Sequence, residues 1–170
     1  MKGKKNGIIL YLINPEEYLK GIIKMMKKTG GNFIYVTATK PCKSIITSLE
    51  KNGIDKDRVM FIDCISKSVD EKAVACPNCI LLDSPQNLPE IGIAVNVGIK
   101  STEGKATLLL DSISTLLLYN DANTVGRFSN FLINRMKLLN VNSAMLALET
   151  DTDKEVIQQI KSVCDEVKSI

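Results

Sequence analysis

The stretch Ala106–Ser112, ATLLLDS, limits the possible fold more than any other in the chain. It is apolar without polar alternation, it ends in a carboxylate and a hydroxyl, and a helix-like pattern follows it. Such a run reads as a strand buried on both faces, which is the situation of strands in parallel sheets covered by helices. Ligands of such sheets sit beyond the carboxyl ends of the strands, where Asp111 and Ser112 fall. Asp111 therefore has two readings, a carboxylate facing a ligand or a cap for the next helix.

The same alternation recurs along the chain. Ile8–Ile13 predicts a first strand, and Asn14 and Pro15 suit the N-cap and first position of a helix. Glu17 has capping-box spacing, and Ile13 and Tyr18 have that of a hydrophobic staple. Leu19, Ile22, Ile23 and Met26 give this helix one apolar face, and Gly30-Gly31 ends it. Phe33–Thr37 predicts strand two. Cys42, Ile45, Ile46 and Leu49 predict a helix reaching to Gly53, and Val59–Asp63 strand three. Ser66–Asn78 has charges, a proline and no apolar period, and reads as a mobile loop; Ile80–Asp83 is either a short strand or an extended segment.

Asn87 and Glu90 then start a helix with Leu88, Ile91, Val95 and Ile99 on its buried stripe. Gly92 and Gly98 weaken it by up to about 1 kcal/mol each relative to alanine, so close packing is expected at both. After strand four (Ala106–Asp111), Ser114–Tyr119 predicts a short helical piece. Val125, Phe128, Leu132, Met136 and Leu139 predict a long amphipathic helix, and Ser143–Leu148 strand five. Val156, Ile160, Val163 and Val167 mark a closing helix, with Asp151–Asp153 at its start, where the helix dipole favours negative charge. Five strands alternating with helices in 170 residues predict a single three-layer, doubly wound α/β domain with a mainly parallel sheet, preceded by a basic tail over residues 1–6.

Composition narrows the function classes. A net charge of +3 with 5 % aromatics and no tryptophan supplies poor stacking for nucleic acid, so no nucleic-acid partner is expected. The run Gly7–Ile13 is followed by Pro-Glu-Glu and not by a small-residue cleavage site, and no apolar run nears the ~20 residues of a membrane span. The expected location is cytoplasmic, where the five cysteines fit reduced thiols.

The order of pieces, with LLLDSISTLLLYND, VGRFSNFLINRMKLLNVNSAMLALE, IYVTATKPCKSIITSLEKNGID and VMFIDC, resembles the RecA-like ATPase core, and within it the archaeal KaiC-like branch. The resemblance covers nearly the whole chain. It implies the strand order three-two-four-five-one, and it implies that Asp111 matches the Walker B acid that orients magnesium through water. Two parts of the ATPase do not match. A phosphate loop needs G-x-x-x-x-G-K-[ST] after strand one, where free backbone N–H groups and a lysine cradle the phosphates. This chain has Asn14-Pro15-Glu16-Glu17 there. At the end of strand two, where the KaiC-like pattern carries acidic residues that polarise water, it reads Ala38-Thr39-Lys40. The chain also has no histidine, which excludes a histidine-based hydrolase using Ser112.

No catalytic residue and no cofactor are therefore expected. Thr39, Lys40, Asp111 and Ser112 are the candidate ligand-binding residues at the carboxyl edge, with a structural Lys40–Asp111 ion pair as the other reading. Cys76 and Cys79 form a C-x-x-C pair with Cys64 twelve residues before it, the candidates for a metal or redox site, although a second pair is absent and an incidental loop pair is the other reading, so that no metal is expected. Cys42 and Cys164 are read as core. The expectation is an inactive ATPase relative acting as a regulatory or protein-interaction module through self-association or a protein partner, with Ile93, Val97 and Ile113–Tyr119 as contact residues, the other reading of this last stretch being core between the sheet and the Val125–Leu139 helix. The alternative is a nucleotide or small-ligand binder with a site rebuilt around Asp111.

Overall fold

The computed structural model describes residues 7–170; the basic tail predicted for residues 1–6 lies outside them. Among the described residues the sheet has seven strands, β1 (Ile8–Ile13), β2 (Phe33–Thr37), β3 (Val59–Asp63), β4 (Cys79–Leu81), β5 (Thr107–Asp111), β6 (Ser143–Leu148) and β7 (Glu166–Ser169). Their order is β4-β3-β2-β5-β6-β1-β7, and every pairing is parallel. The five predicted strands form the centre in the implied order, and two further strands extend its edges.

Of the edge strands, β4 decides an alternative the sequence left open and β7 corrects the sequence reading. β4 takes up part of the stretch that read as strand or extended segment, pairing Cys79 with Phe61 and Leu81 with Asp63. β7 replaces the last turn of the predicted closing helix, because the chain leaves that helix at Val163 and turns at Cys164 and Asp165. Val167, with helical spacing after Val163, instead pairs beside Leu10 on the outer edge and is 44 % exposed.

Among the described residues six helices cover the sheet. On one face lie α1 (Tyr18–Thr29) and α2 (Cys42–Lys51), whose apolar residues meet Tyr35, Phe61, Leu109 and Leu146. On the other lie α4 (Leu88–Ser101), α5 (Ile113–Tyr119), α6 (Ala122–Leu139) and α7 (Glu155–Val163), packed on Ile34, Ile62, Leu108 and Leu110. The period-two alternation of side chains divides each central strand between the two clusters, which is why none of them alternates polar with apolar. α3 (Ser66–Val69) is a single helical turn inside the stretch read as an unpatterned loop. No helix among the described residues is long and apolar enough to cross a membrane.

Candidate functional site

Three neighbouring strands end in one row on the α1–α2 face. Register places Thr37 of β2 between Asp63 of β3 and Asp111 of β5, all three buried. A carboxylate in that position needs donors, since an ionised group away from water costs several kcal/mol when unpaired. The chain supplies them to Asp63 and Asp111 in different ways.

Asp111 is held by hydroxyls. Tyr18 and Thr39 donate to its Oδ1, Thr39 at 3.0 Å, and Tyr35 donates to Oδ2 at 2.6 Å. Burial raises its pKa above the ordinary carboxylate value, opposed by these three hydrogen bonds and by the charge of Lys40. Burial and the adjacent Asp111 push both tyrosine hydroxyls upward, so they remain protonated donors at neutral pH. Of the predicted site residues, Thr39, Asp111 and Ser112 come together. Thr39 Oγ1 lies 2.9 Å from Thr115 Oγ1, which is 3.0 Å from Ser112 Oγ. Lys40 is exposed, and Thr37 pins its loop by donating to the Lys40 carbonyl at 2.6 Å. The cap of α5 is Ser112 and not Asp111: Ser112 Oγ accepts from Thr115 N at 3.1 Å across a chain whose Asp111–Ser112 peptide is cis.

The approach to Asp111 from β1 is closed by the start of the next helix. A single residue, Asn14, separates β1 from a 3-10 turn over Pro15–Glu17 that runs into α1. Asn14 Oδ1 accepts from Glu16 N at 2.9 Å, and its own N–H donates to the Ile170 carbonyl. The expected capping box does not form, because Glu17 pairs with Lys20 at 3.0 Å. Ile13 and Tyr18 do share one apolar cluster, and the Tyr18 hydroxyl reaches on to Asp111. Two clefts lie elsewhere, one of about 250 Å³ between α6 and α7 and one of about 180 Å³ beside Gly30 and Arg58.

Asp63 is held by amides. Its Oδ1 accepts from Ile65 N and Ser66 N, both at 2.9 Å; its Oδ2 accepts from Cys42 N at 2.7 Å and Ser66 Oγ at 2.6 Å. Burial raises its pKa, but these four bonds outweigh burial and hold it below the ordinary value. The same bonds start the α3 turn and fix the first residue of α2. Around this carboxylate the cysteines regroup. Cys42 Sγ, Cys79 Sγ and an Asp63 oxygen all lie within 4.8 Å of one another, and Cys76 packs against the same side-chain cluster from the surface.

Cys64, the predicted companion of the C-x-x-C pair, is on the opposite face among Ile62 and Leu82. Alternation along β3 decides this, because Asp63 and Cys64 are successive residues and must point apart. Cys42, read as core, takes the place given to Cys64. Its helical spacing to Ile45 and Leu49 put it on the α1–α2 face, and the odd positions of β3 lead to that same face. The signal was therefore present, but it needed the strand pairing to be read.

A model of a family described as "Family of unknown function (DUF7504)" matches residues 26–169. No curated protein matches the sequence. Among solved structures, a crystal structure of a KaiC-like protein from the hyperthermophilic archaeon Pyrococcus horikoshii OT3 is similar, with a TM-score of 0.60 at 14 % identity over 91 % of this chain and 67 % of that one. At that identity the likeness is one of fold, a RecA/KaiC-like arrangement of a parallel sheet between helices.

Proposed function

The chain belongs to the DUF7504 family of unknown function, and on that footing we propose that it is a catalytically inactive relative of the RecA/KaiC-like ATPases, acting as a regulatory or protein-interaction module. The observation that carries this reading is the β1–α1 junction. A phosphate-binding loop would have to fit between Ile13 and the first helical turn, and Asn14 alone occupies that interval. Proline at the next position has no N–H, and the Asn14 side chain takes up the amide of Glu16. Glu16 and Glu17 stand where a triphosphate would need donors, and like charges about 4 Å apart repel by ~1 kcal/mol even in water.

Asp111 supports the same reading. A carboxylate that orients magnesium must offer oxygens to the metal's water shell, whereas both oxygens here accept from hydroxyls of the protein itself. The interaction half of the proposal draws on apolar side chains left in water: Leu118 is 80 % exposed, and Ile93 and Val97 line the outer side of α4.

Calorimetry with millimolar MgATP tests the nucleotide half. The expected result is no binding heat and no phosphate release. Micromolar affinity that disappears in Asp111→Ala would overturn it.

A further inference from the structure

We propose that Cys42, Cys76 and Cys79 form a thiolate site for a soft closed-shell cation, zinc(II), positioned by Asp63. This is independent of the nucleotide reading. Two segments bring the sulfurs together: the first residue of α2, and the loop that runs into the first residue of β4. Tetrahedral zinc with bonds of about 2.3 Å places its sulfurs about 3.8 Å apart. The Cys42 and Cys79 sulfurs are within 4.8 Å of each other and of an Asp63 oxygen, and Cys76 packs against the same side-chain cluster from the surface. Bringing the Cys42 and Cys79 sulfurs onto one ion thus takes a movement of about an ångström or less. Cys76 and Cys79 have the short C-x-x-C spacing common to zinc sites, and both are half-buried at the surface, which leaves an entry path.

Asp63 serves as a positioning residue and not as a ligand. Each of its oxygens already accepts two hydrogen bonds, one of them from the Cys42 backbone N–H at 2.7 Å. It thereby fixes the residue that carries the third sulfur, as outer partners of metal ligands commonly do. Three thiolates and a water complete four-coordination. On binding, three S–H bonds ionise, three protons leave to solvent and three S–Zn bonds form, with no change of oxidation state.

A dithiol redox centre fits less well. Such a centre uses two thiols, one of them stabilised as thiolate. Here the C-x-x-C pair leads into strand β4 and not into a helix, and Cys42 brings a third sulfur to it.

The test is competition titration of the reduced full chain with zinc chloride against a chromophoric chelator, repeated at rising pH. The expected result is one zinc per chain, bound more tightly as pH rises. Cys76→Ser and Cys79→Ser should each weaken binding at least 100-fold, and Asp63→Asn by about 10–100-fold. Cys64→Ser and Cys164→Ser should bind as wild type. Zinc should also protect Cys76 and Cys79 from alkylation in the folded chain, a readout that does not rely on any variant folding. The proposal is overturned if wild type holds zinc no better than the Cys76→Ser, Cys79→Ser double variant. Loss of binding in Cys64→Ser would also overturn it, as would a Cys76–Cys79 disulfide as the stable form in the presence of reductant.

Discussion

Asp63 and Asp111 sit in equivalent register positions on either side of Thr37, yet their surroundings move their pKa values in opposite directions. Four hydrogen bonds, three of them from backbone amides, outweigh burial at Asp63. At Asp111 burial outweighs three hydroxyls and the charge of Lys40. A carboxyl whose folded pKa is raised contributes stability that is fully present below its unfolded pKa, about 3.9, and is lost as pH rises through the folded value. The stability of wild type relative to Asp111→Asn should therefore fall as pH increases upward from about 4. Denaturant midpoints of both proteins across that window check the sign. A difference that grows with pH would mean the hydroxyls dominate and the carboxylate is better solvated by the protein than by water.

The helix α4 shows how one residue type takes opposite roles within an element. Close packing was expected at both Gly92 and Gly98, but only Gly98 has it. A Cβ there would lie 3.1–3.3 Å from the side-chain carbons of Ile34, a fully buried residue of the central strand β2. At Gly92 a Cβ would meet nothing within 4 Å. Gly92→Ala should stabilise the protein by about 0.8 kcal/mol through helix propensity alone. Gly98→Ala gains the same propensity but overpacks the helix–sheet contact, a cost of typically 1–3 kcal/mol, so its net effect should be destabilising by about 1 kcal/mol. Thermal or urea unfolding of the two variants decides this, and equal shifts would mean that Ile34 yields freely. The Asn14 cap, by contrast, forms as its residue type predicts, because a cap depends on neighbours within one turn.

On the scale of the whole molecule, the outer face is where the interaction reading meets the fold. The stretch Ile113–Tyr119 divides: Ile113, Ser114 and Leu116 fill the core, while Leu118 is exposed and Tyr119 partly so. Asn120 donates to the Pro85 carbonyl at 3.1 Å and holds this end of α5 beside the entry to α4, which carries the exposed Ile93 and Val97. Exposed apolar residues that form one contiguous patch mark contact surfaces more often than singly scattered ones do, and Leu118, Ile93 and Val97 are the side chains this reading draws on. Sedimentation at high concentration should show wild type heavier than a monomer and Leu118→Glu as a monomer. Because Leu118 is exposed, the substitution should leave stability within about 0.5 kcal/mol. A monomeric wild type would remove self-association from the proposal.

The amino-acid sequence by itself determined the central five strands, their covering helices, the Asn14 cap and the departure from a phosphate loop. Each of these depends on residues close in the chain: apolar runs, 3.6-residue periods, and the side chains of one helical turn. Of the edge strands, β4 was legible only as one of two alternatives and β7 was not legible. β4 is three residues long, and β7 holds one strongly apolar residue, so neither has a pattern of its own and both exist by pairing with a strand already in place. The two sites divide in the same way. Asp111 was visible as the end of a buried strand, but its partners Tyr18 and Tyr35 lie 93 and 76 residues away and meet it only when β1, β2 and β5 are assembled. Spacing along the chain pointed to Cys64 as the companion of Cys76 and Cys79. The sheet chose Cys42 instead, because successive residues of a strand face opposite sides and only the tertiary structure says which side the loop before β4 covers.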